Sequence, residues 1–186
     1  RTLDSHSRAH RFDPCSAHSM AQISKQHVTP ILFKSYISMI RNSAGSRMFQ
    51  HAYASVNGRN VDILKSGDLS CAFFVSSILA LFHPFQLIKD PPHSTVAGTI
   101  KDMKRMGWKE AKKLKPGSII LWESLAKNGH VKSGNKHLGF YIGGNKAVSN
   151  SSKAKTPIIH HVTFGQIKGK PVRRIEGIFW NKKLES

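Results

Sequence analysis

The chain has 186 residues, enough for one domain with a real core, and its 39% hydrophobic content is modest but compatible with a globular fold. Its 29 Lys+Arg against 10 Asp+Glu give a net charge of +19, which favours anionic partners: nucleic acid, anionic lipid surfaces, or cell-wall polymers rich in phosphate and carboxylate. A membrane-spanning helix is excluded, since the longest apolar run, Cys71 to Phe82, is too short. Two cysteines, Cys15 and Cys71, make no disulfide framework.

In chain order, residues 1–22 are rich in Ser, His and Arg without periodicity, and read as a flexible tail or expression remnant ahead of a single domain at 23–186. Residues 1–19 hold no apolar core of a signal peptide. The compartment stays open: secreted or wall-associated if a leader has been removed, cytoplasmic otherwise. Thr29 followed by Pro30 predicts a helix start, with Ile31, Leu32, Ser35/Tyr36 and Met39/Ile40 on one face. A second short helix is expected over about Arg47 to Val56, and "NGRNVDILKSGD" reads as a loop with two turn signals.

The run opened by Cys71 predicts a helix capped by Asp68 or Ser70 and ending near His83, before Pro84. It is apolar nearly all round, so it should be central and buried. Ser94 is the expected cap of the next helix, with Val96, Ile100 and Met103 facing inward and Gly107 ending it. After Trp108 the pattern turns to strands: "GSIILWES", a hairpin of "HLGFYI" and "KAVS" around "GGN", then "PIIHHVTF" and "PVRRIEGIFW", with "LAKNGHVKSGNK" as a polar loop. Helices first and strands afterwards predict an α+β domain, with helices packed on one antiparallel sheet.

A thiol attacks well only when ionised, and a helix amino terminus favours the thiolate. Cys71 falls in the first turn of its helix. A histidine nearby must take the proton and return it to the leaving group, and a third polar group must orient the imidazole. Of 11 histidines, His137 stands apart: it opens an apolar strand in which alternation puts His137, Gly139 and Tyr141 on one face. With a turn at Gly143–Asn145, Ser149 to Ser151 fall opposite His137. Ser149 or Asn150 is then the orienting group, although alternation sets these two on opposite faces. His160 or His161 on the next strand is the other candidate.

The order "SCAFFV … KPGSIILW … HLGFYIGGNKAVSNSS" resembles the NlpC/P60 family of papain-like cysteine peptidases. Cys71 matches the family's nucleophile, Phe74-Val75 the apolar pair after it, Lys115-Pro116-Gly117 a turn, and His137 to Gly143 the strand carrying the base. The resemblance runs from about Ala44 to the end and is most specific in the His137 strand. Ser70 and Ser118 stand where the family has Asp, Ala72-Phe73 where it has Ser-Gly, and Ser149 where it often has His.

The resemblance implies a papain-like fold and a hydrolase acting on amide bonds of bacterial cell-wall peptides, with Cys71 as nucleophile, His137 as base, and Ser149 or Asn150 as third residue. Tyr53, Ser70, Tyr141 and His160 complete the expected substrate-binding set. A monomer binding an anionic wall polymer or peptide is the expected state. No HExxH, paired-cysteine, zinc-finger or RNP-type pattern occurs, so no metal or cofactor is called for and nucleic acid is the lesser candidate. The alternatives are other amide or acyl chemistry on the same scaffold, a module that kept the fold and lost the chemistry, and a basic nucleic-acid-binding protein. Acyltransferases of related fold usually carry the His before the Cys, the reverse of the order here.

Overall fold

A computed structural model describes residues 29–125 and 136–185. The expected tail at 1–22, Cys15, and most of the polar loop after Leu125 lie outside the described residues. The compact unit begins at Ile31. Among the described residues three α-helices, α1 (Leu32–Asn42), α2 (Cys71–Ala80) and α3 (Val96–Arg105), come largely before the strands.

The main sheet has six antiparallel strands: β3 (Lys109–Glu110), β4 (Ile119–Trp122), β5 (His137–Gly143), β6 (Lys146–Ser151), β7 (Thr156–His161) and β10 (Ile175–Trp180). Their order is β3-β10-β4-β5-β6-β7. Two small hairpins sit outside it: β1 (Tyr53–Val56) with β2 (Arg59–Asp62), and β8 (Gln166–Ile167) with β9 (Lys170–Pro171). The fold is therefore α+β with an antiparallel sheet, as the element order predicts.

Strand alternation divides the sheet into two cores. Leu138, Phe140 and Ile142 of β5 join Ile119, Leu121 and Val148 against the helices. Phe140 meets Tyr36 of α1 and Phe74 of α2 edge-to-face, at centroid distances of 5.9 and 5.5 Å. The opposite face holds a smaller cluster of Ile120, Trp122, Ala147 and Val162, with Tyr141 and Phe164 packed on it. α2 is buried at Ala72, Phe74, Val75, Ser76, Ile78 and Leu79, which fits its apolar sequence.

Several expectations are corrected. The helix expected over Arg47 to Val56 is absent: turns lead into β1, which pairs with β2. Asn57 and Gly58 both adopt left-handed conformations (φ 51° and 77°), as a type I′ hairpin turn requires, so the loop's Asn-Gly signal wins over local helix propensity. α1 starts at Leu32 with Ile31, not Thr29, at the cap position, and its buried stripe is Leu32, Tyr36, Ile37 and Ile40. Ile31 and Met39 are exposed, because the stripe turns one position away from them. Thr95, not Ser94, caps α3, its hydroxyl accepting from the Gly98 amide at 3.1 Å.

"PVRRIEGIFW" is not one strand: Pro171 ends β9, a bend holds Arg173, and β10 begins at Ile175. Ser118, where the resembling family has Asp, still holds the Lys-Pro-Gly turn: its hydroxyl accepts from the Lys115 amide at 3.1 Å. Gly117 there has φ +92°, and a Cβ on it would come within 3.1 Å of the Tyr36 ring.

Candidate active site

Cys71 is the first residue of α2, and His137 the first of β5. Both line one cleft of about 1610 Å³, walled by α3 (Val96, Ile100, Lys101) on one side and by strand ends (Ser149, Ser151) on the other. The backbone amides of Leu138, Ala72 and Cys71 lie on the side of the Cys71 sulfur and favour its thiolate electrostatically. Leu138 follows His137 directly, so the thiol lies against the start of the histidine strand.

Burial nonetheless raises the Cys71 thiol above its ordinary range, outweighing those amides and the nearby Arg173 guanidinium, which lower it. The expected thiolate is thus not the resting form. α2 has no side-chain cap among the described residues: Asp68 pairs with Lys155, and Ser70 is fully buried, its hydroxyl without a hydrogen-bond partner among the described residues.

His137 is wedged beside Trp122 and Phe164, at ring-centroid distances of 5.6 and 5.8 Å. Burial, then Arg173 and His160, push its pKa down to about 3, so the imidazole is neutral at pH 7. Its Nε2 lies 2.9 Å from the Ser149 hydroxyl. Gly139, directly opposite Ser149, makes this contact possible: a Cβ there would sit 2.6 Å from Ser149 Cβ and from the Val148 carbonyl oxygen. Ser149 Oγ also lies 2.8 Å from His160 Nε2, and His160 Nδ1 lies 2.8 Å from the His161 carbonyl oxygen.

The remaining expected residues divide. Asn150 lines the cleft, but its amide donates to the Gly67 carbonyl at 2.7 Å, on the other face of β6, and does not orient His137. Tyr53 lies outside the cleft: it is 73% exposed on β1 and stacks on His51. Ser70 is not a lining residue either. Tyr141 shares the face of His137, as alternation requires, but packs into the smaller core instead of the cleft. His160 stacks on Phe164 at 4.0 Å and lines a separate shallow pocket with Gly144, Asn145 and His161 instead of the cleft.

Arg173 is the residue that sequence reasoning missed. It is only 7% exposed, and its Nε donates to the Glu123 carbonyl at 2.7 Å. Its guanidinium lies over the Phe164 ring at 5.6 Å, at the edge of the cleft. An Arg-Arg pair in a bend carries no periodic signal that separates it from the many surface cations. Among the described residues lining the cleft are Lys101, Lys104, Lys136, Lys153, Arg173 and Asp68; Lys104 and Lys136 pair with Glu110 and Glu176, and the remaining excess of cations favours an anionic ligand.

No family model and no curated protein matches this chain. Among the described residues, no helix is long and apolar enough to cross a membrane, and no group of three metal-ligating side chains comes together.

Proposed function

We propose that the protein is a papain-like cysteine hydrolase of the NlpC/P60 type that cleaves amide bonds in bacterial cell-wall peptides. The observation that carries the proposal is the meeting of Cys71, at the amino end of a buried helix, and His137, at the start of a strand, in one basic cleft. Because thiol and imidazole both rest neutral, the thiol proton passes to His137 as sulfur attacks the carbonyl, not beforehand. In this reading the Cys71 backbone amide, at the amino end of α2, turns from the sulfur to the developing oxyanion as the carbonyl is attacked. His137 then protonates the leaving amine, and water, deprotonated by His137, releases the acyl group.

The test is release of free amine from wall peptides by the purified chain and by Cys71→Ala, which preserves the helix because alanine is its best former. The expected result is a rate in Cys71→Ala lower by at least about 100-fold. An undiminished rate in that variant removes the proposed chemistry. The raised thiol pKa favours a second reading, a binding module without turnover. In that case wall peptides bind, by calorimetry, yet neither chain releases amine.

A further inference from the structure

Four groups form a line of hydrogen bonds leading away from the cleft: His137 Nε2, the Ser149 hydroxyl, His160 Nε2 with Nδ1, and the His161 carbonyl oxygen. Three strands supply it, β5, β6 and β7, at positions brought together by the register Gly139↔Ser149 and Ala147↔His160.

The direction of this line follows from its far end. A peptide carbonyl can only accept, so His160 donates from Nδ1. A neutral imidazole has one N–H, which makes His160 Nε2 an acceptor. The Ser149 proton must therefore point to His160, and the Ser149 oxygen accepts from His137, which carries its proton on Nε2. The reverse direction would set the Nδ1 lone pair of His160 against the carbonyl lone pairs of His161 at 2.8 Å. Burial lowers the His160 pKa and so favours the neutral ring, opposed by the hydrogen bond to the His161 carbonyl and reinforced by the charges of His161 and Arg173; Trp122 of β4 and Phe164 beside it are aromatic.

We propose that His160 is a positioning residue for His137: acting through the Ser149 hydroxyl, it fixes the His137 proton on Nε2 and leaves Nδ1 as the atom that takes the thiol proton. A serine alone orients an imidazole poorly, because its hydroxyl donates as readily as it accepts. Backed by His160, the same hydroxyl is committed to one direction. The inference rests on His137 being the base of the proposed hydrolase, and its test reads the tautomer separately from turnover.

Long-range 1H–15N spectra of the full chain, labelled in histidine, report which ring nitrogen of His137 is protonated at pH 7. The expected result is an Nε2–H tautomer in the wild type, a mixture in His160→Leu and Ser149→Ala, and recovery of Nε2–H in His160→Gln, whose amide oxygen can accept from Ser149. In the peptide assay, His160→Leu should lower kcat roughly 10- to 100-fold at unchanged KM, and His160→Gln should restore most of it. A wild-type His137 protonated on Nδ1 overturns the inference, as does a folded His160→Leu with unchanged tautomer and kcat. If His160→Leu does not fold, the wild-type and Ser149→Ala spectra decide. Absence of hydrolysis by the wild type would remove the proposed function, while the tautomer would still decide the positioning role.

Discussion

The two faces of β5 are ordered by different physics. On the helix side, Leu138, Phe140 and Ile142 are held by volume: their neighbours are apolar, and any side chain of the right size and shape would satisfy them. On the other side, His137 and Gly139 are held by direction and clearance, with a hydrogen bond of fixed polarity beside a position that admits no Cβ. The first face stabilises the fold and tolerates conservative exchange. The second does not, because replacing a donor by an acceptor of equal volume undoes it.

The comparison can be broken from either side. Phe140→Ala should have the largest effect on stability, about 3–5 kcal/mol, since a fully buried ring wedged between Tyr36 and Phe74 leaves a cavity. A urea titration followed by tryptophan fluorescence measures it. Gly139→Ala should cost about 1–3 kcal/mol by overpacking, and it should also push Ser149 away from His137, so activity falls further than stability alone explains. Equal losses in both would show that clearance at Gly139 serves packing only.

Of the two faces of β5, acid should act on the polar one. His137 titrates near 3 in the folded chain against an ordinary 6.5, so below pH 6.5 the unfolded chain binds a proton that the native state refuses. Its contribution is complete above pH 6.5 and is lost as pH falls toward 3, with a slope of up to about 1.4 kcal/mol per pH unit for this one group. His160 is shifted in the same direction. Urea midpoints at pH 7 and pH 5 should therefore differ clearly in the wild type and less in His137→Gln. The smallest effect is expected at the exposed Lys104–Glu110 pair, 3.0 Å apart, which belongs to neither face: Glu110→Ala should change stability by less than about 1 kcal/mol.

The parts of this structure legible in the sequence are those carried by local pattern. The Cys71 helix announces itself by an apolar run stopped before Pro84, and the hairpin of β5 and β6 by alternation around Gly-Gly-Asn. Both place a candidate site residue, but the sequence leaves the partner of His137 open between Ser149 and Asn150, and the register Gly139↔Ser149 selects Ser149. The β1–β2 hairpin was legible too, through Asn57-Gly58, but a helix-like stretch from Arg47 onward masked it.

What stayed hidden depends on distance along the chain. The task of His160 needs the β6–β7 register and the carbonyl of its neighbour together. Arg173 needs the knowledge that a bend beyond β9 folds over Phe164. The upward shift of the Cys71 thiol is not legible in the sequence, because a helix terminus is a local feature whereas burial is a property of everything packed around it.

The loop ahead of α2 is seated on the turn between β6 and β7. Asn150 holds the Gly67 carbonyl, the Lys155 backbone lies so close that a Cβ on Gly67 would meet its carbonyl oxygen at 2.8 Å, and Lys155 pairs with Asp68. Asn150 is adjacent to Ser149, so the support of the nucleophile and the support of the base share one piece of backbone. In hydrogen-exchange terms, the amides of residues 67–72 and 149–156 are expected to share a single opening event, which native-state exchange would check. The expected outcome is that the supports of the Cys71 sulfur and the His137 ring open together, so that the site is either whole or lost.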